Sequence, residues 1–260
     1  TVSATAFAMD MVAAQRRRNR DLSSFKYFIC GGAAIPPKVV EEAAEVLGTE
    51  LIAVWGMTEN MVVTTTRPGD SVELVSNSDG TPIEWMEIRL MTEKGSLASA
   101  GEEGSLQTRG SSQALGYFHR EDLYAAANPD EDWFDTGDVA RLRPDGGIRI
   151  VGRTKDIIIS GGENIPVSEI ESLILRHSLV DEVAIIGVPD ERLGERACAV
   201  VSSSSPELNL ADLSDFLEEL GTAKQFWPEQ MVLMSEMPRT PSGKIQKFKL
   251  REYLDGSAPT

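Results

Sequence analysis

The sequence predicts an α/β layer, then a β-rich segment, and then a compact α+β unit. The first prediction depends on a strand, helix and strand that follow one another within residues 26–56. This order is typical of a parallel sheet covered by helices. The second depends on short strand-like runs punctuated by glycine between about residues 72 and 153, and the third on alternating apolar strands and amphipathic helices after residue 155.

Composition and charge exclude several classes of protein. The 260 residues are 41% apolar and 25% charged, which is ordinary for a globular protein. The 41 acidic and 25 basic residues give a net charge of −16, which argues against general nucleic-acid binding. No apolar run is long enough to span a membrane. Cys30 and Cys198 are the only thiols and are predicted to be reduced core residues of a cytoplasmic protein.

The first elements follow from local pattern. Residues 1–14 are interpreted as an amphipathic helix, since they lack the basic start and apolar core of a signal peptide. Residues 26–30 (KYFIC) form an apolar run that ends at a glycine pair, which indicates a buried strand and a tight turn. Residues 36–47 have a proline near the start and helical apolar spacing. Residues 51–56 (LIAVWG) predict a second buried strand.

The later elements are predicted in the same way. Three strands of the β-rich segment are indicated by MEIRLM (86–91), GSLQTRG (104–110) and GGIRIVG (146–152). The final unit is predicted to contain a strand at 156–160, a helix from Pro166 to about His177, strands at 181–188 and 197–203, and a helix from about Leu210 to Leu220.

The segment WGMTE follows the second buried strand. Gly56 is predicted to allow a sharp turn, which would place Thr58 and Glu59 at the carboxyl edge of the sheet. In α/β sheets this edge is where ligands bind. A hydroxyl suits a phosphate oxygen, and a carboxylate suits Mg²⁺. The alternative is that Thr58 and Glu59 cap a helix.

Two further segments carry charged residues on glycine-rich backbone. In WFDTGD, an aromatic pair lies beside a glycine turn that is flanked by two aspartates, and a single carboxylate at such a turn can bind both hydroxyls of a ribose; the alternative is an ordinary Asx-turn. The segment GRTKDIIISGGENI (152–165) places charges and glycines around a strand, and its alternative is a hairpin with surface charges.

The segment PRTPSGK (238–244) resembles a phosphate loop but does not satisfy the Walker A pattern, because Pro238 replaces the first glycine and Ile245 follows the lysine. Residues 239–251 contain five basic residues and no acid in an acidic chain, which favours contact with an anion. The alternative is a solvated lysine on a surface loop.

Taken together, GGAAIPP, WGMTE, WFDTGD, GRTKDIIISGGENI…EIE and PRTPSGK resemble the adenylate-forming superfamily of acyl- and aryl-CoA synthetases, luciferases and peptide-synthetase adenylation domains. The resemblance covers roughly residues 1–254. It implies that residues 1–154 are the C-terminal portion of a large AMP-binding domain, an α/β layer plus a β-rich subdomain. Residues 155–260 would then be a small mobile α+β lid domain.

The resemblance also implies the chemistry. In this superfamily a carboxylic acid attacks the α-phosphate of ATP–Mg²⁺ to give acyl-AMP and pyrophosphate, and the acyl group then passes to a thiol. Gly31, Gly32 and Ala33 would line the acyl pocket and the adenine side, where glycine lets backbone approach a flat ligand. Trp55 replaces the more frequent tyrosine and would still stack near adenine.

Other positions would bind phosphate, metal and ribose. The resemblance implies that Thr58 contacts phosphate and that Glu59 binds Mg²⁺. Asp138 matches the ribose-binding aspartate, and Arg153 matches its basic partner on the ribose or phosphate. The catalytic set implied by the resemblance is therefore Lys244, Thr58 and Glu59, with Glu59 as the metal ligand.

The final unit would supply moving parts. Lys155 matches the hinge about which the lid swings, and Gly162 matches the glycine that lets the pantetheine arm of coenzyme A reach the adenylate. Lys244 matches the lysine that closes over the α-phosphate and carboxylate, where its compact charge would stabilise a transferring phosphoryl group.

The resemblance is to the C-terminal half of such enzymes, because the Ser/Thr/Gly-rich phosphate loop that ends in Pro-Lys is not in this sequence. We therefore expect a fragment with little adenylation activity by itself, and a sheet edge that favours homodimers. The leading hypothesis for the parent is an acid–CoA ligase for cyclohexanecarboxylate, aryl or medium-chain acids that uses ATP, Mg²⁺ and coenzyme A. The alternatives are loading of a carrier-protein phosphopantetheine and a non-catalytic nucleotide-binding module.

Overall fold

The computed structural model describes residues 1–128, 132–241 and 243–256. The chain divides into two compact units, Thr1–Thr154 and Lys155–Thr260. Ser242 of the PRTPSGK segment lies outside the described residues. Among the described helices, none has the length and apolar character that crossing a membrane requires.

The first half of the first unit is an α/β layer. Its elements are β1 (Val2–Ser3), α1 (Thr5–Arg17), β2 (Tyr27–Gly31), α2 (Pro37–Glu42), β3 (Glu50–Met57), β4 (Met61–Thr65), α3 (Val72–Ser76) and β5 (Thr81–Pro82). The strands form one sheet in the order β1-β2-β3-β4-β5. The first three strands are parallel, as the strand–helix–strand pattern predicts, whereas β4 and β5 are antiparallel additions.

The start of the chain differs from the prediction. Val2 and Ser3 pair with β2 as a parallel strand, and the helix begins only at Thr5. The interpretation of residues 1–14 as one helix is therefore wrong for the first residues, because pairing with a neighbouring strand overrides local helical spacing. The helix predicted at 36–47 is present as α2 followed by a π-helical turn at Ala43–Leu47.

The second half of the first unit is the predicted β-rich part. Its elements are β6 (Met86–Met91), β7 (Glu103–Gly110), α4 (Glu121–Ala126), β8 (Phe134–Leu142) and β9 (Ile148–Arg153). The strands form an antiparallel sheet in the order β6-β7-β8-β9. Leu90, Leu106, Ala140 and Ile148 form its buried core cluster.

The second unit is α+β, as predicted. Its elements are β10 (Ile158–Ser160), β11 (Glu163–Ile165), α5 (Val167–Ile174), β12 (Glu182–Asp190), β13 (Gly194–Ser202), α6 (Leu210–Glu219), β14 (Gln230–Met234) and α7 (Lys247–Leu254). The sheet has the order β11-β10-β13-β12, and β14 pairs in parallel with β13. Helix α5 ends three residues before the predicted His177.

Candidate functional site

The parallel strands β2 and β3 end at the same edge of the first sheet, and a glycine-bearing loop follows β2. Strand β2 ends at Gly31, which pairs with Val54 of β3. A Cβ on Gly31 would lie 2.5 Å from the Val54 carbonyl oxygen, so this position requires glycine for strand packing. Gly32 has a φ of 82°, in the region that favours glycine. The backbone therefore requires glycine at both positions whether or not a ligand binds there. Gly32 and Ala33 are exposed at the edge of the sheet.

Gly56 does not form the predicted turn. Strand β3 continues to Met57, and the turn comes at residues 58–60 before antiparallel β4. A Cβ on Gly56 would lie 1.7 Å from the Met61 carbonyl oxygen. Gly56 is therefore required because β4 approaches β3 closely at a β-bulge. The helix-cap alternative is also wrong, since a strand follows Thr58 and Glu59.

The turn that carries Thr58 and Glu59 is held by hydrogen bonds. The fully buried Asn60 accepts from the Met57 amide at 3.0 Å and donates to Thr108 at 3.2 Å. The Glu59 carbonyl accepts from the Ala114 amide at 2.6 Å. Thr58 is exposed. Hydrogen bonds thus hold the turn in place at the carboxyl end of β3, which is the edge where the sequence predicts Thr58 and Glu59 to lie.

Tyr117 is a residue that sequence reasoning missed. Its phenol donates to Glu59 Oε1 at 2.5 Å. This hydrogen bond, with burial and the charge of Glu59, raises the pKa of Tyr117 to about 12. The phenol is therefore a donor throughout the neutral range. No spacing rule would find this pair, because the two residues lie 58 positions apart and meet only through the fold.

Asp138 lies within β8 rather than at a turn. Its Oδ1 accepts from Arg153 Nε at 2.7 Å, and its Oδ2 accepts from Trp55 Nε1 at 3.0 Å. The Asp138 side chain is 7% exposed and that of Arg153 is 55% exposed. The Asx-turn alternative applies to Asp135, whose carboxylate accepts from the Gly137 amide at 2.9 Å. The structure therefore brings both Trp55 and Arg153 into direct contact with Asp138.

A second buried carboxylate, Asp79, lies in the same unit. Burial raises the pKa of Asp79, while Arg149 and a hydrogen bond from the Ile150 amide lower it, and the charge of Asp138 adds to the rise. The Ile150 amide is 2.8 Å from Asp79 Oδ2, and Arg149 is 3.6 Å from the same oxygen. Sequence reasoning did not select Asp79, because a single aspartate before a glycine is an ordinary turn signal.

The expected pantetheine position lies in a tight hairpin of the second unit. Gly161 and Gly162 connect β10 and β11 with φ values of 60° and 88°, as in a type I′ turn. A Cβ on Gly162 would meet open space, so the backbone conformation alone requires glycine here. Lys155 lies in a 3₁₀ turn at Thr154–Asp156, where the chain passes from one unit to the other.

Lys244 is presented by a small loop. Arg239 and Ile245 form a bridge, and the Lys244 amide donates to Thr240 Oγ1 at 3.1 Å. Three of the five basic residues in 239–251 are used in ion pairs: Arg239 with Glu182, Lys247 with Glu171 and Arg251 with Asp156. Lys244 is exposed and has no ion pair within the part of the chain that the structure describes. Its charge is thus available to an anion.

The described residues contain no group of three His, Cys, Asp or Glu side chains that could hold a metal ion. Mg²⁺ usually takes one or two carboxylates and completes its shell with phosphate oxygens and water. A single carboxylate such as Glu59 therefore fits this metal, and does not fit an all-protein zinc or calcium site.

Comparison with known proteins defines the class of protein. The family model described as "AMP-binding enzyme" matches residues 1–118, and that described as "AMP-binding enzyme C-terminal domain" matches residues 169–244. Together with the two-unit fold, these matches place the chain in the adenylate-forming superfamily of AMP-binding enzymes, and it belongs to that family.

Particular relatives are similar over nearly the whole chain. The medium-chain fatty-acid–CoA ligase of Escherichia coli is 36% identical over 97% of the chain and 45% of the ligase. The 2,3-dihydroxybenzoate-AMP ligase of Bacillus subtilis is 35% identical over 94% of the chain and 45% of that ligase. The chain thus spans about 45% of the length of these curated relatives.

Solved structures give the same result. ATP-bound MatB from Rhodopseudomonas palustris superposes with a TM-score of 0.90 at 27% identity, over 99% of this chain and 51% of that chain. The anthranilate CoA ligase AuaEII in complex with anthranoyl-AMP gives 0.87 at 28% identity, over 98% and 49%. The prediction of family and fold class is therefore confirmed.

Proposed function

We propose that this chain supplies the ribose-binding residues, the metal ligand and the catalytic lysine of an ATP-dependent acid–CoA ligase. Such a ligase forms an acyl-AMP and then an acyl-CoA. The observation that carries the proposal is the buried carboxylate of Asp138, which is hydrogen-bonded at both oxygens by Trp55 and Arg153. Such a carboxylate retains lone pairs that suit vicinal hydroxyls. The relatives that are themselves acid–CoA and acid–AMP ligases support the same reaction class.

The residues of the first unit would bind and orient the nucleotide. Asp138 would accept from the ribose hydroxyls, and the exposed guanidinium of Arg153 would stay close to the ribose or α-phosphate. Thr58 would donate to a phosphate oxygen from its exposed turn. Gly32 and Ala33 would border the acyl group and adenine at the end of β2.

Glu59 would be the protein's ligand to Mg²⁺. Tyr117 donates a hydrogen bond to Oε1 of Glu59, and within the described residues no hydrogen bond is made to Oε2. When bound, the metal would neutralise phosphate charge as the α-phosphoryl group is transferred. Tyr117 would keep the carboxylate oriented by its hydrogen bond.

The second unit would supply the catalytic lysine and the path by which the thiol of coenzyme A reaches the adenylate. Lys244 would place its ammonium near the α-phosphate and the acid carboxylate, where negative charge develops. Lys155 would be the hinge of this unit. The open, left-handed turn at Gly162 would give the pantetheine arm of coenzyme A a passage free of side chains.

Nucleotide binding by the 260-residue chain tests the proposal directly. AMP and a non-hydrolysable acyl-AMP analogue are titrated calorimetrically into the chain and into Asp138→Asn. We expect binding to the chain and about a tenfold or greater loss in the variant, because a charged hydrogen-bond acceptor is removed. Asp132→Asn, an exposed aspartate six positions earlier, should bind normally. Absence of AMP binding at millimolar concentration, or equal binding by both variants, would contradict the proposal.

The ligase reaction is tested as pyrophosphate release from ATP and Mg²⁺, with and without coenzyme A. Cyclohexanecarboxylate, benzoate, dihydroxybenzoate and octanoate form the panel, measured with this chain and with any longer protein that contains it. Release that depends on one acid, followed by thioester formation, would identify the substrate class. Location in the cytoplasm and homodimer formation are further proposals, which cell fractionation and light scattering would check.

A further inference from the structure

We infer that Trp55 is a positioning residue for Asp138 and governs recognition of the ribose hydroxyls through its indole N–H. The inference depends on the proposed function, which assigns the ribose to Asp138. It concerns an indole that lies on β3 and a carboxylate that lies on β8, 83 positions later.

The indole ring of Trp55 makes both apolar and polar contacts within the protein. Trp55 is partly buried and packs against the cluster Leu90, Leu106, Ala140 and Ile148 of the second sheet. This contact buries apolar ring surface that would otherwise be free to meet a base. The polar atom of the ring, Nε1, donates to Asp138 Oδ2 at 3.0 Å. Both parts of the side chain therefore have partners within the protein.

The hydrogen bond has a mechanical consequence for Asp138. The terminal torsion of an aspartate side chain is broad and roughly two-fold, so a donor at one oxygen leaves the carboxylate free to rotate. Arg153 bonds only Oδ1, and its side chain is 55% exposed. Trp55 bonds Oδ2, and the two donors together fix the plane of the carboxylate.

Fixing the plane matters because two vicinal hydroxyls must be met at once. A carboxylate has about four acceptor positions, of which Trp55 and Arg153 use two, one on each oxygen. One position on each oxygen is left for a hydroxyl. Loss of the indole donor would therefore weaken binding of the diol and leave contacts to the base and phosphate unchanged.

The test compares two nucleotides that differ only in the diol. AMP and 2′,3′-dideoxy-AMP are titrated calorimetrically into the chain, into Trp55→Phe and into the exposed control Trp85→Phe, whose tryptophan is 58% exposed. We expect Trp55→Phe to lose about fivefold to tenfold in affinity for AMP and to bind the dideoxy nucleotide within about twofold of the unaltered chain. Trp85→Phe should change neither affinity.

Results that contradict the inference about Trp55 can be distinguished from results that contradict the ribose assignment of Asp138. An equal loss for both nucleotides in Trp55→Phe would indicate stacking on adenine and would overturn this inference alone. Equal affinity of the unaltered chain for AMP and the dideoxy nucleotide would overturn the assignment of the ribose to Asp138, and with it the proposed function of that residue.

Because Trp55 also packs in a core, a second variant protects the test against misfolding. Replacement of Trp55 by benzothienylalanine keeps the ring size and removes only the N–H donor. It should reproduce the selective loss for AMP. If it binds AMP as well as the unaltered chain does, the indole donor has no role and the inference is wrong.

Discussion

At the scale of single residues, the functional carboxylates depend on aromatic donors that are distant in sequence. Glu59 accepts a hydrogen bond from the phenol of Tyr117, and Asp138 accepts one from the indole of Trp55. In both cases an aromatic ring brings one strong donor and little conformational freedom. The chemistry of each acid is therefore set by a partner that its own sequence segment does not contain.

Replacing Tyr117 by phenylalanine tests this dependence. The variant keeps the ring, which packs edge-on against Tyr124, and removes the hydrogen bond to Glu59. We expect the Mg²⁺ concentration for half-maximal ATP binding to rise about tenfold, because partners of metal ligands orient the ligand. The free energy of unfolding should fall by about 1 kcal/mol.

The control for Tyr117 is Tyr253→Phe in α7, which removes a phenol that is 53% exposed. This control should change neither the Mg²⁺ dependence nor the stability. An unchanged Mg²⁺ dependence in Tyr117→Phe, measured by calorimetry at several Mg²⁺ concentrations, would show that the phenol does not orient Glu59.

At the scale of elements, glycine controls how closely strands approach. Gly56 lies in β3 at a β-bulge, and its missing Cβ leaves room for the Met61 carbonyl oxygen of β4. The same hairpin carries the Glu59 turn between its strands. The geometry of the turn thus depends on Gly56, which the sequence analysis selected as a turn residue and which instead allows the close approach of two strands.

Gly56→Ala should destabilise the chain by about 2–3 kcal/mol, because the added methyl group forces backbone atoms apart. The matched variant is Gly152→Ala in β9, where an added Cβ meets nothing within 4 Å and φ is not in the left-handed region. It should change stability by no more than about 0.5 kcal/mol. Urea unfolding measures both, and equal midpoints would contradict the close-approach argument.

Some elements were predicted close to their bounds, and others were missed. Strands β2 and β3 and helix α6 occur close to their predicted bounds. Helix α7 was not predicted, because half of its sequence KFKLREYL is charged and, within the helix, only Leu250 is buried. Strand β14 was also missed, since its short run of residues gains its strand structure from parallel pairing with β13.

At the scale of the whole molecule, each unit has its own buried core. Among its described residues, the second unit contains two buried clusters, one that includes Ile185, Leu213 and Leu217 and one that includes Ile186 and Leu250. In the described part of the first unit, the clusters contain residues up to Ile150 and none of the second unit. Because burial of apolar surface drives folding, a unit with a separate core is expected to fold separately.

We therefore expect residues 155–260, produced alone, to unfold in one cooperative transition followed by circular dichroism in urea. Leu213→Ala should lower the stability of this segment by about 2–5 kcal/mol, because the side chain is fully buried. Leu220→Ala, at a position that is 41% exposed, is the control and should have a smaller effect. A non-cooperative transition would contradict the independence of the unit.

The sequence by itself determined the family, the α/β and α+β order, and the segments that carry Thr58, Glu59, Asp138 and Lys244. It could do so because strand and helix periodicity and short motifs are local properties of the chain. Only the tertiary structure decided that Gly56 serves strand packing, that Asp138 lies in a strand, and that Trp55 and Tyr117 hydrogen-bond the two acids. These features depend on contacts between residues up to 83 positions apart, and no local pattern encodes such contacts.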